Sequence, residues 1–224
     1  MNQSIVGQLI LKDCRLFRVP ILVNTLAGAA ALVLVQVGGE IPVVVGAVLF
    51  FITLILVGHM LPMAGIVNER KNHNLTFVMS LPGSFFQYTT AKLIATVGMF
   101  FIPWAALVAS AVVLIEVRAM LPHGIIPFTL ILALAPFVGM SLVTGAALVG
   151  ESEGWGIAAN VFCNSAYGLF WYFLARNPVL MNHARGPSPV WDSTTLNILG
   201  GEFVSIVLIL GLTYFLQSRK RDFV

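Results

Sequence analysis

Apolar residues run almost unbroken through residues 19–37, 42–66, 88–115, 125–149, 156–175 and 196–216, with short polar or Gly/Pro-containing stretches between them. A helix needs about 20 mostly apolar residues to cross a hydrocarbon core. Lipid offers no partners to backbone N–H and C=O groups, and a helix satisfies them internally. The pattern predicts six spanning helices in an all-α transmembrane domain over residues 1–224, with little chain left for a second domain.

The first span has a patterned lead-in. Ile5, Leu9, Lys12 and Leu16 recur with a loose helical period, and Lys12, Arg15 and Arg18 can reach anionic headgroups. That arrangement predicts an amphipathic helix lying in the interface and bending into the span at Pro20, the alternative being a frayed polar tail. The apolar stretch from Val19 to Val37 is longer than the usual signal-peptide core of about 7–15 residues, so it reads as a retained helix. On the opposite side, residues 176–195 hold Pro178, Pro187, Pro189 and Gly186 and are expected to be mostly turn. Trp191 there is a candidate interfacial anchor, and Asp192 or Ser193 a candidate cap for the last span.

Composition agrees with the pattern. The chain is 58% hydrophobic and 9% charged, whereas soluble domains carry about 25% charged residues. The net charge of +3 does not imply nucleic acid, because the basic residues are segregated. Lys12, Arg15, Arg18, Arg70, Lys71, Lys92, Arg219, Lys220 and Arg221 fall on one side of the predicted spans, and Arg118, Arg176 and Arg185 on the other. This asymmetry puts both termini and the connection 67–87 in the cytoplasm of a cell whose inner membrane the chain crosses. Cys14 and Cys163 form no disulfide framework and read as packing residues.

The connection 67–87 is the longest charged stretch. Asn68 to Asn74 is polar, Leu75 to Met79 is apolar, Ser80-Leu81-Pro82-Gly83 breaks the chain, and Ser84 with Gln87 matches a capping box for the third span. A short helix along the membrane face and a solvated loop both fit that pattern. Glu69-Arg70, Leu75-Thr76, Ser80-Leu81-Pro82 and Ala91-Lys92, taken together, resemble the signature of ABC-2 type transporter permeases. Six spans, an amphipathic N-terminal helix and the basic tail 217–222 are similar to that family as well. One position departs, since Leu75 stands where many members carry glycine.

The resemblance implies a membrane-spanning subunit of an exporter that pairs with a second permease protomer and docks a cytoplasmic ATP-binding subunit. Its coupling helix would lie between spans two and three, with Glu69, Arg70, Thr76, Phe77 and Met79 as coupling residues. ATP and Mg would be held by the partner subunit, and this chain would bind no cofactor and act as no enzyme. A P-loop needs a Gly-Lys pair to cradle phosphates, and the sequence contains none.

Polar residues inside spans are the candidates for a substrate path, because hydrocarbon penalises them unless they face protein or water. Asn160, Asn164, Tyr167 and Trp171 recur at i, i+4, i+7 and i+11 and share one face of the fifth span, either as interhelical packing bonds or as a translocation surface. His59 and Glu202 are the ionisable groups within spans, each about 10 Å below its own interface, which argues against a direct pair. His59, level with Asn24, reads as a neutral histidine hydrogen-bonded across helices or as a proton site. Glu202 follows Gly200-Gly201, where an irregular, wet helix is expected, and reads as an outer gate or a snorkelling residue. A secondary carrier or small channel using His59 and Glu202 without ATP is the alternative to the ATP-driven reading. Neither an H-E-x-x-H nor a G-x-S-x-G arrangement supports an enzyme. Pro62, Pro103, Pro127 and Pro136 are expected to bend their spans, and Ala27/Ala31 and Ser141/Gly145 to allow close helix contact.

The topology has a direct check in a Cys14→Ser, Cys163→Ser background. A single cysteine at Ser188 reacts with an impermeant thiol reagent added outside and one at Ser80 does not; the reverse pattern inverts the orientation.

Overall fold

A computed structural model describes residues 5–71, 85–118, 121–150 and 152–219. Every regular element among them is helical. Helix α1 spans Ile5–Gln36, α2 Glu40–Pro62, α3 Asn68–Lys71, α4 Phe85–Arg118, α5 Ile125–Val149, α6 Glu153–Arg176, α7 Pro178–Ala184 and α8 Ser193–Arg219. Five of these (α1, α2 with its extension to Val67, α4, α5 and α8) are long and apolar enough to cross a bilayer. Leu22, Leu26, Val33, Ile102, Val117, Phe203 and Leu208 are all more than half exposed. Side chains of that kind suit a lipid solvent and mark a membrane protein. Helix α6 is long enough, about 36 Å at 1.5 Å per residue, but it falls outside that group. Asn160, Asn164 and Ser165 dilute its apolar character.

The separate interfacial helix expected at the N-terminus is not a separate element. Helix α1 continues through Pro20, and the Asn24 side-chain amide donates to the Pro20 carbonyl at 2.9 Å. Leu9, Asp13 and Phe17, spaced four apart, form a buried face that packs on the bundle. Arg15, Leu16 and Arg18 point outward.

Tight turns follow the residues that permit them. Gly38 and Gly39 adopt φ of 80° and 87°, a region that L side chains avoid, and so reverse the chain between α1 and α2. Asn177 caps α7 by accepting from the Val179 and Leu180 N–H groups at 3.0 and 3.3 Å, with Pro178 at the first helical position, where its missing N–H costs nothing. This helix occupies part of the stretch expected to be turn. Asp192 Oδ1 accepts from the Thr195 N–H at 3.1 Å and caps α8. Ser84 of the expected capping box lies outside the described residues.

Helix α2 does not stop cleanly. Pro62 lacks an N–H to continue the ladder, and Met63–Val67 form a π-helical turn that leads into α3. Among the described residues α5 is the most enclosed helix, buried along most of its length and packed by α2, α4, α6 and α8. Small residues set these approaches. A Cβ on Gly46 would sit 2.7 Å from the Ala31 carbonyl oxygen of α1, and one on Gly145 2.6 Å from Thr213 Oγ1 of α8. Ser141 and Gly145 therefore fill the role expected of them. On α1 the contact is made by Gly28 and Ala31, because Ala27 is exposed.

The helices alternate between two ends of the bundle. One end gathers Leu9, Ile66, Val67, Tyr88, Ala91, Ala147 and Leu148 into a single apolar cluster. At the other end the Gly124 N–H donates to the Gly186 carbonyl at 3.1 Å, and Leu174 and Leu180 pack with Ile131 and Leu132.

Candidate functional site

At the first of these ends three charged side chains, Asp13, Glu69 and Lys92, are buried, and Lys12 reaches them from the surface. Lys92, on α4, is 1% exposed, and its Nζ stands 2.8 Å from Asp13 Oδ2 of α1 and 2.9 Å from Glu69 Oε2 of α3. Lys12 Nζ donates to Glu69 Oε1 at 2.6 Å and lies 3.6 Å from Asp13 Oδ1, and the Tyr88 hydroxyl donates to Glu69 Oε2 at 3.2 Å. Two ammonium groups thus face two carboxylates, and the charges balance. Desolvating such ions is tolerable only when each finds its partners, so the network requires α1, α3 and α4 to keep their mutual positions. Helical spacing delivers the groups: Asp13 sits on the buried stripe of Leu9 and Phe17, and Lys92 lies four residues after Tyr88. Ala91, 0% exposed, gives the close approach beside them.

Of the coupling residues named from the sequence, Glu69 faces this interior. Arg70 lies in α3, and Thr76, Phe77 and Met79 fall outside the described residues. Burial pushes the Glu69 carboxyl upward, but the Lys92 and Lys12 ammonium groups outweigh it and hold the group below its ordinary value of 4.5.

A second cluster lies within the bundle. His59 Nδ1 meets Asn160 Oδ1, and His59 Nε2 lies 2.8 Å from the Tyr167 hydroxyl. Asn164 Nδ2 donates to the Asn160 carbonyl at 2.8 Å. A neutral imidazole protonated at Nδ1 donates to Asn160 and accepts from Tyr167, so both ring nitrogens are satisfied. Gly139 of α5 makes room for the pair, since a Cβ there would overlap the Tyr167 hydroxyl and lie 3.2 Å from His59 Nε2. The expected stripe on α6 is real, and His59 of α2 is its partner. Asn24, level with His59 in the sequence, bonds its own helix instead. Trp171 continues the stripe as packing, edge-on to Phe51 and Phe128 at 5.8 and 6.4 Å.

Glu202 stands apart from His59, on α8, and lines a groove of about 420 Å³ between α6 and α8 that Tyr167 also borders. Helix α8 is regular through Gly200-Gly201, so the expected irregularity is absent. Cys163, buried on α6, is a packing residue as expected, its thiol 3.8 Å from the Gly139 carbonyl. Among the described residues no group of three or more His, Cys, Asp or Glu side chains is placed to hold a metal.

No protein-family model, curated protein or solved structure matches this chain.

The Glu69 environment sets a pH dependence. A carboxyl held below its ordinary value stabilises the fold fully above about 4.5 and loses that contribution as pH falls through its lower folded value. Thermal unfolding of the purified protein followed from pH 7 to pH 3 is expected to show an acid-side loss that shrinks in Glu69→Gln. An unchanged acid limb in that variant removes Glu69 from the network's energetics.

Proposed function

We propose that the chain is the membrane-spanning permease subunit of an ATP-driven ABC-2 type transporter, exporting its substrate as a dimer and coupled to a separate ATP-binding subunit. The observation that carries this reading is the Lys92–Glu69 ion pair at 2.9 Å. The motif residues Glu69-Arg70 and Ala91-Lys92 bracket residues 72–84, and the pair ties the two ends of that connection to each other and to α1. A segment anchored in this way can transmit a push from a soluble partner into three helices at once. A loose loop would dissipate it.

Six crossings fit the packing. Helix α6 begins beside the ion network, where Gly156 abuts Val67, and finishes at the opposite end, where Leu174 packs with Leu180. Its outward residues Val161, Leu169 and Phe173 are exposed and apolar, as a lipid-facing or protomer-facing surface requires. In this reading the basic end carrying Lys12, Lys71, Lys92 and Arg219 is the cytoplasmic side of the inner membrane, in agreement with the positive-inside rule. The carrier alternative draws on one observation, that Tyr167 both bonds His59 and borders the Glu202 groove.

Affinity purification of the tagged chain from its own membranes separates the two readings. The wild type is expected to retain a P-loop ATPase, and a Phe77→Ala, Met79→Ala variant at matched expression to lose it, because buried aromatic anchors commonly cost about 2 kcal/mol or more on truncation. Equal retention by the variant removes the coupling assignment. ATP-independent transport by the isolated chain favours the carrier.

A further inference from the structure

The groove between α6 and α8 has apolar walls and a single acidic group. Leu142 of α5 lies at its floor, Phe162, Tyr167 and Phe170 of α6 form one side, and Glu202 and Ser205 of α8 form the other. Its volume of about 420 Å³ falls in the range that takes a small organic molecule. Helices α6 and α8 both pack on α5, and the groove opens between them.

Among the described residues no cation forms an ion pair with Glu202. Its Oε2 is enclosed and makes no hydrogen bond among the described residues. Four cations have partners elsewhere: Lys12 and Lys92 serve the ion network, Arg176 stacks on Tyr172 at 4.7 Å and Arg219 on Phe215 at 4.4 Å. The sequence places no Lys or Arg between Arg118 and Arg176 or between Arg185 and Arg219. A second copy pressing its own α5, α6 or α8 into the groove would therefore bring no positive charge to this depth. A carboxylate taken out of water is costly until it meets a cation, and aromatic faces add attraction for one.

We infer that the groove binds a hydrophobic organic cation, with Glu202 as its counter-ion and the α6 aromatic side chains as its walls. The apolar surface selects ligands that partition into the bilayer, and the lone carboxylate selects among them by charge. An anion of the same shape is repelled, and a neutral one leaves Glu202 unpaired. Calling this ligand a transport substrate rests on the permease reading above; the binding site does not.

The probe is tetraphenylphosphonium, with tetraphenylborate as its oppositely charged counterpart of similar shape. Binding to the purified full-length chain in lipid nanodiscs is measured by equilibrium dialysis. Saturable binding of the cation is expected, weakened at least about tenfold in Glu202→Gln, with no saturable binding of the borate. Gly201→Phe supplies an independent variant. A Cβ at Gly201 meets nothing within 4 Å, so the ring enters the groove without backbone strain and is expected to block the cation while Glu202 stays in place. Cation binding by Glu202→Gln at wild-type affinity, or borate binding as tight as the cation's, overturns the proposal. So does quantitative disulfide cross-linking between copies through Phe162→Cys in the Cys14→Ser, Cys163→Ser background, which shows a second copy seated in the groove. No ATP-binding subunit is needed for these measurements, so failure here leaves the permease reading standing, and failure of ATPase copurification leaves this site standing.

Discussion

An ammonium group removed from water must find negative charge within reach, and Lys92 finds it on two different helices. Its Nζ lies within 3 Å of both Asp13 and Glu69, so displacing α1 or α3 strands a buried ion. Much of the surrounding arrangement follows from that constraint. Helix α1 must bring Asp13 inward, which turns Leu9 and Phe17 onto the bundle. The chain after the π-helical turn must bring Glu69 back toward α4. The apolar cluster around Ile66, Tyr88 and Ala147 packs at the same end, where Asp13, Glu69 and Lys92 are buried while Lys12 keeps contact with solvent.

Away from that end the bundle is organised by α5, whose buried surface receives α2, α4, α6 and α8. The helices packed on it differ in character. Packing of α4 on α5 is aromatic, with Phe100 edge-on to Phe137 at 5.1 Å and the Trp104 indole N–H donating to the Ala133 carbonyl at 2.6 Å. Helices α6 and α8 present much more exposed surface, and they carry most of the polar groups at mid-depth. Among the described residues, His59 of α2 reaches Asn160 and Tyr167 of α6 through both ring nitrogens.

Helix positions were largely legible in the hydropathy pattern, because each apolar run has one way to satisfy its backbone in lipid. The i, i+4, i+7 spacing on α6 likewise placed Asn160, Asn164 and Tyr167 on one face without any knowledge of their neighbour. Partners were harder to read. Asp13, Glu69 and Lys92 are separated by 56 and 23 residues, and no local periodicity joins them. The available signal was that Asp13 falls on the same four-residue stripe as Leu9 and Phe17, which is an unusual place for an unpaired charge. Depth puts His59 level with Asn24, but depth alone does not say which helices touch, and the partners of His59 lie on α6. The short helix α7 was hidden by its prolines, although Asn177-Pro178 is a cap followed by a favoured first helical residue.

Lys92 holds α1, α3 and α4 together through its charge and not merely through its bulk. Removing one member of a buried ion set strands the others and costs about 3–5 kcal/mol, whereas neutralising the buried members together is often far less costly. The decisive measurement is the unfolding free energy of Lys92→Met alone and of Lys92→Met combined with Asp13→Asn and Glu69→Gln, in one detergent at neutral pH. The single variant is expected to be strongly destabilised and the triple variant to recover more than half of the loss. A triple variant as unstable as the sum of its parts, or a Lys92→Met protein as stable as the wild type, contradicts the account.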